Sequence, residues 1–256
     1  MNVWLRLFKF RYHLTFASVI CGALLFAPQI DGRLWRQLAL LYCCFNLLMY
    51  GGIYTLNDVA DRVRDARHPR KGRRPVAAGE ISVRAATCFG AVLLVSGPGL
   101  AILLFEPAVV ACFGAALIFN AIYSLGGRDL RYVDLLFNSL PHPTRFLMGA
   151  LLVGGAPPAT HLGAFLALAI AMSCLRRVVE RDEPGWEARA TIGRYSSLEL
   201  PRLAGACLIA FVLFAVRFGS AAPGFYFTVG VTGLVVGVGG WINPPVRASL
   251  RAVWTR

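Results

Sequence analysis

The chain has 256 residues, of which 57% are hydrophobic and 15% are charged, whereas ordinary soluble domains are about 45–50% apolar. This composition argues against a soluble domain. The net charge of +13 would suit a nucleic-acid binder, but 22 of the 26 Lys and Arg residues fall in alternate segments between apolar runs. Alternate segments lie on the same side of a membrane, and an excess of positive charge on one side is typical of membrane proteins in contact with anionic lipid. We therefore expect no nucleic-acid partner.

Crossing a hydrocarbon layer of roughly 30 Å takes about 20 helical residues, and eight apolar runs approach or exceed that length. We therefore predict an all-α integral membrane bundle of about eight transmembrane helices around a central cavity, as one domain over residues 1–256. The charge asymmetry predicts that both termini and two charged loops, at 57–84 and 176–202, face the cytosol from the inner or cytoplasmic membrane of the cell. The runs lie at 12–29, 37–56, 85–105, 107–125, 133–154, 161–175, 203–219 and 224–242.

The seven cysteines lie in apolar stretches and lack the paired spacing of a zinc site. We interpret them as small core residues rather than metal ligands or disulfide partners.

The first loop carries four polar residues, Asn57, Asp58, Asp61 and Asp65, at helical spacing. If the second helix continues beyond the membrane surface, all four share one face. Like charges so placed repel one another, but Mg²⁺ takes hard oxygen ligands together with substrate phosphates. The sequence therefore predicts a magnesium site, against the alternative of a solvated acidic turn balanced by neighbouring arginines.

Basic residues follow directly, and among them Lys71 and Arg74 are our candidates for binding phosphate oxygens. Arginine binds such oxygens as a fork and lysine as a point charge. The alternative is a basic loop that only sets the membrane topology.

The fifth run contains a polar stripe of Asp134, Asn138 and Arg145, with His142 beside it. Ionisable groups at that depth are costly and normally face a cavity or one another. We expect Arg145 to face a cavity or a phosphate, while His142 could equally be a hydrogen-bonded core residue.

The second loop opens with Arg176, Arg177 and Glu180, and Pro184-Gly185 is predicted to end any helix there. A pair between Arg176 and Glu180 could be a plain surface ion pair. Its position in the second charged loop favours a functional role.

These residues resemble the UbiA superfamily of intramembrane prenyltransferases. NDVADRVRD at 57–65 matches that family's NDxxDxxxD motif, and Lys71, Arg74-Pro75 and Gly79 continue it. The resemblance implies that Asn57, Asp58, Asp61 and Asp65 bind Mg²⁺ and an isoprenoid diphosphate.

Several spacings are similar to the branch that transfers phosphoribosyl to decaprenyl phosphate, among them Tyr123-Ser124 to Asp134 and Arg177 to Glu180. Arg128 and Arg176 stand where that branch has lysines, and Pro141-His142-Pro143 interrupts the fifth run. The second acidic motif of the prenyl-transferring members is reduced here to Glu180, Asp182, Glu183 and Glu187. The resemblance implies further substrate-binding residues at Tyr123, Arg128, Asp134, Arg177 and Glu180.

We therefore expect a membrane transferase that uses Mg²⁺ to cleave a prenyl diphosphate and transfer the prenyl group to an acceptor. Asp58, Asp61, Asp65 and Arg145 would be catalytic, and the partners would be an isoprenoid lipid, a diphosphate-bearing substrate and membrane lipids. One alternative is phosphoribosyl transfer from phosphoribosyl diphosphate to a polyprenyl phosphate. Another is a non-enzymatic lipid transporter or scaffold.

Overall fold

The computed structural model describes residues 2–68, 71–181, 190–219, 223–224, 226–227 and 229–231. Over those residues it contains helices and no β-strand. The α-helices are α1 Val3–Leu7, α2 Ala17–Phe26, α3 Gly32–Tyr42, α4 Gly51–Ala60, α5 Arg62–Ala66, α6 Val83–Leu104, α7 Pro107–Ser124, α8 Val133–Ser139, α9 Pro141–Leu152, α10 Ala159–Arg181, α11 Ala190–Gly193 and α12 Glu199–Phe218. Shorter 3₁₀ segments span Phe10–Phe16, Lys71–Arg73 and Gly127–Asp129, and a π-helical segment, Cys43–Tyr50, joins α3 to α4.

The predicted number of eight membrane-spanning helices is not confirmed. Within the described part of the chain five helices are long and apolar enough to cross a membrane, and Tyr12–Phe26 is a shorter apolar helix. The predicted fifth span is divided into α8 and α9, because Pro141 has no backbone N–H and begins a new helix. The predicted eighth span, 224–242, lies mostly outside the described residues. The five are Gly32–Ala60, Val83–Leu104, Pro107–Ser124, Ala159–Arg181 and Glu199–Phe218.

The helices divide into two compact units. The first comprises Met1–Ala115 with Met148–Gly155, and the second comprises Ala116–Leu147 with Ala156–Arg256.

In the first unit the long helix Gly32–Ala60 packs along α6 through small residues. A Cβ atom on Gly52 would lie 2.5 Å from the backbone nitrogen of Leu94, and one on Gly97 would lie 2.6 Å from the carbonyl oxygen of Cys44. Real contacts are longer, so only glycine allows this approach. Close backbone approach is the usual basis of helix packing in membranes. It fixes the helix that carries the first polar motif.

In the second unit α10 packs against α12 and α8. A buried apolar cluster joins these helices to the chain after α11, and its members are Leu135, Ala171, Cys174, Tyr195, Leu200 and Ala204.

All seven cysteines are present as free thiols. The prediction that they are core residues is wrong for Cys43 and Cys88, which are exposed on their helices. In a membrane-spanning helix an apolar exposed face is compatible with lipid, so the apolar context of a cysteine does not fix its burial.

Candidate active site

The polar motif of the first unit, residues 57–65, lies at the end of the long helix Gly32–Ala60. The helix continues past Ala60, which is the condition for these polar residues to share one face. The backbone N–H of Asp61 donates to the carbonyl of Asn57 at 2.9 Å, and that of Asp65 donates to the carbonyl of Asp61 at 2.8 Å. The helical register therefore persists from α4 into α5. Asp58 and Asp65 are each 2% exposed, whereas the Asp61 side chain is 17% exposed. Two of the three carboxylates are thus withdrawn from water.

Arg74 joins the two buried carboxylates. Its Nη1 lies 3.0 Å from Oδ1 of Asp58 and 2.6 Å from Oδ2 of Asp65. The loop that holds Arg74 is itself compact, with Val76 buried and the N–H of Ala78 donating to the carbonyl of Arg74 at 2.8 Å. The sequence prediction therefore named residues that the structure brings together.

Lys9 is the residue of this site that the sequence analysis missed. Its Nζ lies 2.7 Å from Oδ1 of Asp58, and its side chain is 12% exposed. From the sequence, Lys9 is one of several basic residues that set the membrane topology, and no local pattern indicates a partner 49 positions away. Only the folded chain brings it to Asp58.

The electrostatics of this cluster follow from burial. Burial lowers the pKa of Lys9, and the Asp58 carboxylate opposes that shift without cancelling it. Burial also disfavours the charge on Arg74, but the carboxylates of Asp58 and Asp65 outweigh this effect and raise the pKa of Arg74 above its usual value. The acidic motif therefore favours the charged form of both basic groups.

One carboxylate oxygen remains unsatisfied. Oδ2 of Asp58 is buried and has no hydrogen-bond partner, although Oδ1 of the same group contacts both Lys9 and Arg74. A buried charged acceptor left unsatisfied is costly. A hard cation would satisfy it, so the donor chemistry of this site fits Mg²⁺.

The described residues contain no group of three His, Cys, Asp or Glu side chains that could hold a metal by themselves. Asp61 forms an ion pair with Arg64 at 2.8 Å, beside the pairs made by Asp58 and Asp65. Mg²⁺ usually takes one or two carboxylates and completes its shell with water and substrate phosphates. The arrangement therefore fits a cation that binds together with a phosphate-bearing substrate.

Two other predicted residues of the first loop lie near this cluster in sequence. Asn57 is partly exposed on α4, and Lys71 is exposed in the segment Lys71–Arg73, where its backbone N–H donates to Nδ1 of His68 at 3.3 Å. Lys71 is therefore accessible to a phosphate from solvent.

In the second unit, Asp134 and Arg177 form a fully buried bidentate pair. Nε and Nη2 of Arg177 donate to the two carboxylate oxygens of Asp134 at 2.7 and 2.9 Å, and both side chains are 0% exposed. Nη1 of Arg177 also donates to Glu180 at 2.7 Å, and Arg176 donates to the other oxygen of Glu180 at 2.8 Å. Four predicted polar residues thus form one network along α10 and α8.

Tyr123 contributes to the electrostatic environment of Arg177. His142 is within range of the charges of Arg145 and Arg176, which links the polar residues of α9 to those of α10. Arg145 itself is buried, and its facing a cavity or a phosphate stays a prediction.

Arg128 lies in the turn after α7, and its carbonyl accepts a hydrogen bond from Thr191. The remaining acidic residues of the second loop, Asp182, Glu183 and Glu187, lie outside the described residues.

Comparison with known proteins identifies the family. The sequence model of the UbiA prenyltransferase family matches residues 15–247. The chain belongs to the UbiA prenyltransferase family. A UbiA homolog from Archaeoglobus fulgidus, solved with GPP and Mg²⁺, shares the fold with a TM-score of 0.73 at 17% identity, over 99% of this chain and 93% of that one. The predicted all-α membrane fold and the transferase family are both confirmed.

Curated relatives share about a third of their aligned residues with this chain. Nodulation protein NoeC of Azorhizobium caulinodans is 34% identical over 63% of this chain and 50% of its own length. A 4-hydroxybenzoate octaprenyltransferase of Paracidovorax citrulli is 33% identical over 63% of this chain and 56% of its own. The decaprenyl-phosphate phosphoribosyltransferase of Corynebacterium glutamicum is 28% identical over 46% of this chain and 35% of its own. The chain spans about half or less of the length of most of these relatives.

Proposed function

We propose that the protein is a Mg²⁺-dependent transferase that cleaves a prenyl diphosphate and passes the prenyl group to an acceptor. The observation that carries the proposal is the buried, unsatisfied Oδ2 of Asp58, within a motif that also places Asp65 and Arg74 in contact. Family membership supports the reaction type. The related fold was solved with GPP and Mg²⁺, and one curated relative is named an octaprenyltransferase.

We assign the metal to the first unit. Asp58, Asp61 and Asp65, assisted by Asn57, would hold Mg²⁺, which when bound neutralises charge on the diphosphate and favours its departure. Loss of diphosphate builds negative charge, and preorganised cations stabilise it at that step. We propose that Arg74 and Lys71 bind the phosphates, Arg74 from a position fixed by two carboxylates and Lys71 from an exposed position in the same loop.

The second unit has a different proposed role. Every carboxylate oxygen of Asp134 and Glu180 is matched by an arginine donor in the network of Arg176 and Arg177. We assign Asp134, Arg177 and Glu180 to positioning the polar end of α10 rather than to holding a second metal. Tyr123, Arg128 and Arg145 are proposed to contact the substrate from this unit, and the polar loops of both units are proposed to face the cytosol.

A second candidate function rests on that same network. Because the carboxylates of Asp134 and Glu180 are matched by Arg176 and Arg177, the additional arginines Arg128 and Arg145 give this unit a cationic character, which suits a phosphate group. Phosphoribosyl transfer from phosphoribosyl diphosphate to a polyprenyl phosphate would use this character to bind the acceptor. A relative named decaprenyl-phosphate phosphoribosyltransferase supports this candidate.

The test supplies detergent-purified protein with labelled prenyl diphosphates of several lengths or with labelled phosphoribosyl diphosphate, each with and without Mg²⁺. We expect Mg²⁺-dependent release of diphosphate from one donor, and the donor consumed decides between the two reactions. Asp61→Ala should lose this turnover, whereas the matched control Glu106→Gln, an exposed acid at the start of α7, should retain it. No turnover of either donor, with Asp61→Ala unchanged in every assay, would favour a transporter or scaffold.

A further inference from the structure

Lys9 occupies an unfavourable backbone conformation. Its φ and ψ are 50° and 52°, in the left-handed region, and Tyr132 is the other described non-glycine residue with a positive φ. For a residue with a Cβ atom and a long side chain this conformation is unfavourable. Such a conformation persists only when the surrounding structure holds it.

The flanking residues supply that constraint. On one side Leu7 is fully buried against Val76, Ile81 and Ala86. On the other side the imidazole of His13 bridges two groups, with Nε2 at 3.0 Å from the carbonyl of Phe8 and Nδ1 at 2.7 Å from the hydroxyl of Tyr42. A single neutral tautomer satisfies both contacts, since Nε2–H donates and Nδ1 accepts.

Arg6 adds a third attachment. Its guanidinium donates to both carboxylate oxygens of Glu80, at 2.9 and 2.6 Å, and also to the carbonyl of Arg73. The N-terminal segment is therefore fixed to the loop that carries Arg74.

This turn directs the Lys9 ammonium onto one oxygen of Asp58. The Nζ lies 2.7 Å from Oδ1 and 5.5 Å from the centre of the Tyr54 ring. Arg74 contacts the same oxygen at 3.0 Å, and Oδ2 stays buried without a partner. Two cations on one oxygen fix the rotation of the carboxylate and leave its second oxygen available.

We propose that Lys9 is a positioning residue that orients Asp58, so that Oδ2 is presented as the ligand of the divalent cation. Partners of this kind hold metal ligands in the required orientation, and their loss typically weakens metal binding about 10- to 100-fold. The proposal rests on the proposed function, because it requires Asp58 to be a cation ligand. It concerns Lys9 itself, which lies outside the acidic motif and in a different segment of the chain.

Whether removal of the Lys9 ammonium weakens or tightens metal binding distinguishes a positioning role from a purely electrostatic one. Lys9 is a cation beside the proposed cation site, so removal of its charge alone should tighten metal binding by relieving repulsion. Removal of a positioning contact should weaken binding. Lys9→Met keeps the aliphatic stem and removes the ammonium, which makes it the informative variant.

The experiment measures Mn²⁺ binding to the purified protein in the presence of inorganic diphosphate, from the electron paramagnetic resonance signal of free Mn²⁺. We expect Lys9→Met to raise the dissociation constant at least about tenfold and Lys9→Arg to recover part of the loss. Arg36→Met, an exposed cation at the other end of the long helix that carries Asp58, should bind like the parent protein. The thermal unfolding temperature of each variant shows whether it is folded.

The outcomes are distinguishable. Unchanged or tighter Mn²⁺ binding by Lys9→Met overturns the positioning role while leaving the proposed function intact. If Asp58→Asn binds Mn²⁺ as tightly as the parent protein, the assignment of the metal to Asp58 is overturned, and the positioning role with it. If Lys9→Met does not fold, Lys9→Arg and His13→Gln decide, since the first alters the contact to Asp58, the second alters the turn, and each should weaken Mn²⁺ binding by a smaller factor. Parent-like binding by both would overturn the proposal.

Discussion

At the scale of single residues, the two polar clusters differ in how completely their charges are matched. In the first unit Asp58 retains one buried oxygen without a partner, whereas in the second unit both oxygens of Asp134 are satisfied by Arg177. An unsatisfied buried acceptor is unfavourable unless a ligand completes it, while a fully matched pair serves structure. This difference leads us to place the metal in the first unit.

Arg74→Lys tests the geometry of the first cluster without removing its charge. Nη1 of the guanidinium contacts both Asp58 and Asp65, whereas a lysine ammonium is a point charge on a flexible stem and does not hold the same position between them. A charge-assisted hydrogen bond contributes about 1.5–3 kcal/mol, so we expect kcat/KM for the diphosphate donor to fall roughly 10- to 100-fold. Arg84→Lys, at an exposed position early in α6, is the matched control. Parent-like kinetics for Arg74→Lys would remove Arg74 from the site.

Arg177→Met tests the network of the second cluster. The change leaves Asp134 buried without its bidentate partner, and breaking a buried pair in this way costs about 3–5 kcal/mol. We expect a clear fall in the thermal unfolding temperature in detergent. Arg202→Met, an exposed arginine on α12, should leave that temperature unchanged.

The double variant Asp134→Asn/Arg177→Met completes the cycle. Because the double variant also lacks the unpaired Asp134 carboxylate, it should be more stable than Arg177→Met alone. Strictly additive effects of the two substitutions would show that the pair makes no joint contribution to stability.

At the scale of helices, the register of Gly32–Ala60 against α6 determines where the acidic motif lies. A Cβ on Gly52 would meet the backbone of Gly90 at 2.7 Å and that of Leu94 at 2.5 Å, and neither backbone can move aside as a flexible side chain can. The helix spacing at this point therefore depends on glycine.

Gly52→Ala should separate these two helices. We expect a lower thermal unfolding temperature and reduced turnover, because the displaced helix also carries Asp58. Gly114→Ala on α7 makes the same chemical change at a position where, among the residues that the structure describes, no atom beyond the local backbone of α7 lies within 4 Å of the added Cβ, so it should be neutral. Equal unfolding temperatures for the two variants would contradict this packing.

At the scale of the whole molecule, the orientation in the membrane is still a prediction from the distribution of Lys and Arg. We expect a membrane-impermeant maleimide to label a cysteine at Arg33 in intact cells. A cysteine at Ser82, within the first charged loop, should be labelled only after the membrane is opened. Both substitutions are made in a background without the seven native cysteines, and the reverse labelling pattern would invert the proposed topology.

The sequence by itself determined the membrane-embedded helical class, the family and the acidic motif. Long apolar runs leave few alternatives to helices in lipid, and carboxylates at helical spacing must share a face once the helix continues. Pro141 likewise marked the break between α8 and α9, because a residue without an N–H cannot continue a helix unaided.

Only the tertiary structure decided which charges meet. Lys9 reaches Asp58 through a left-handed turn held by long-range contacts, and Arg177 is neutralised by Asp134 from another helix. Local periodicity carries no information about such pairings, since they depend on how helices pack and on which carboxylate each cation reaches. The number of membrane-spanning helices is also not fixed by local sequence. An apolar run shows that a segment could cross the membrane, but it does not show where the helix ends.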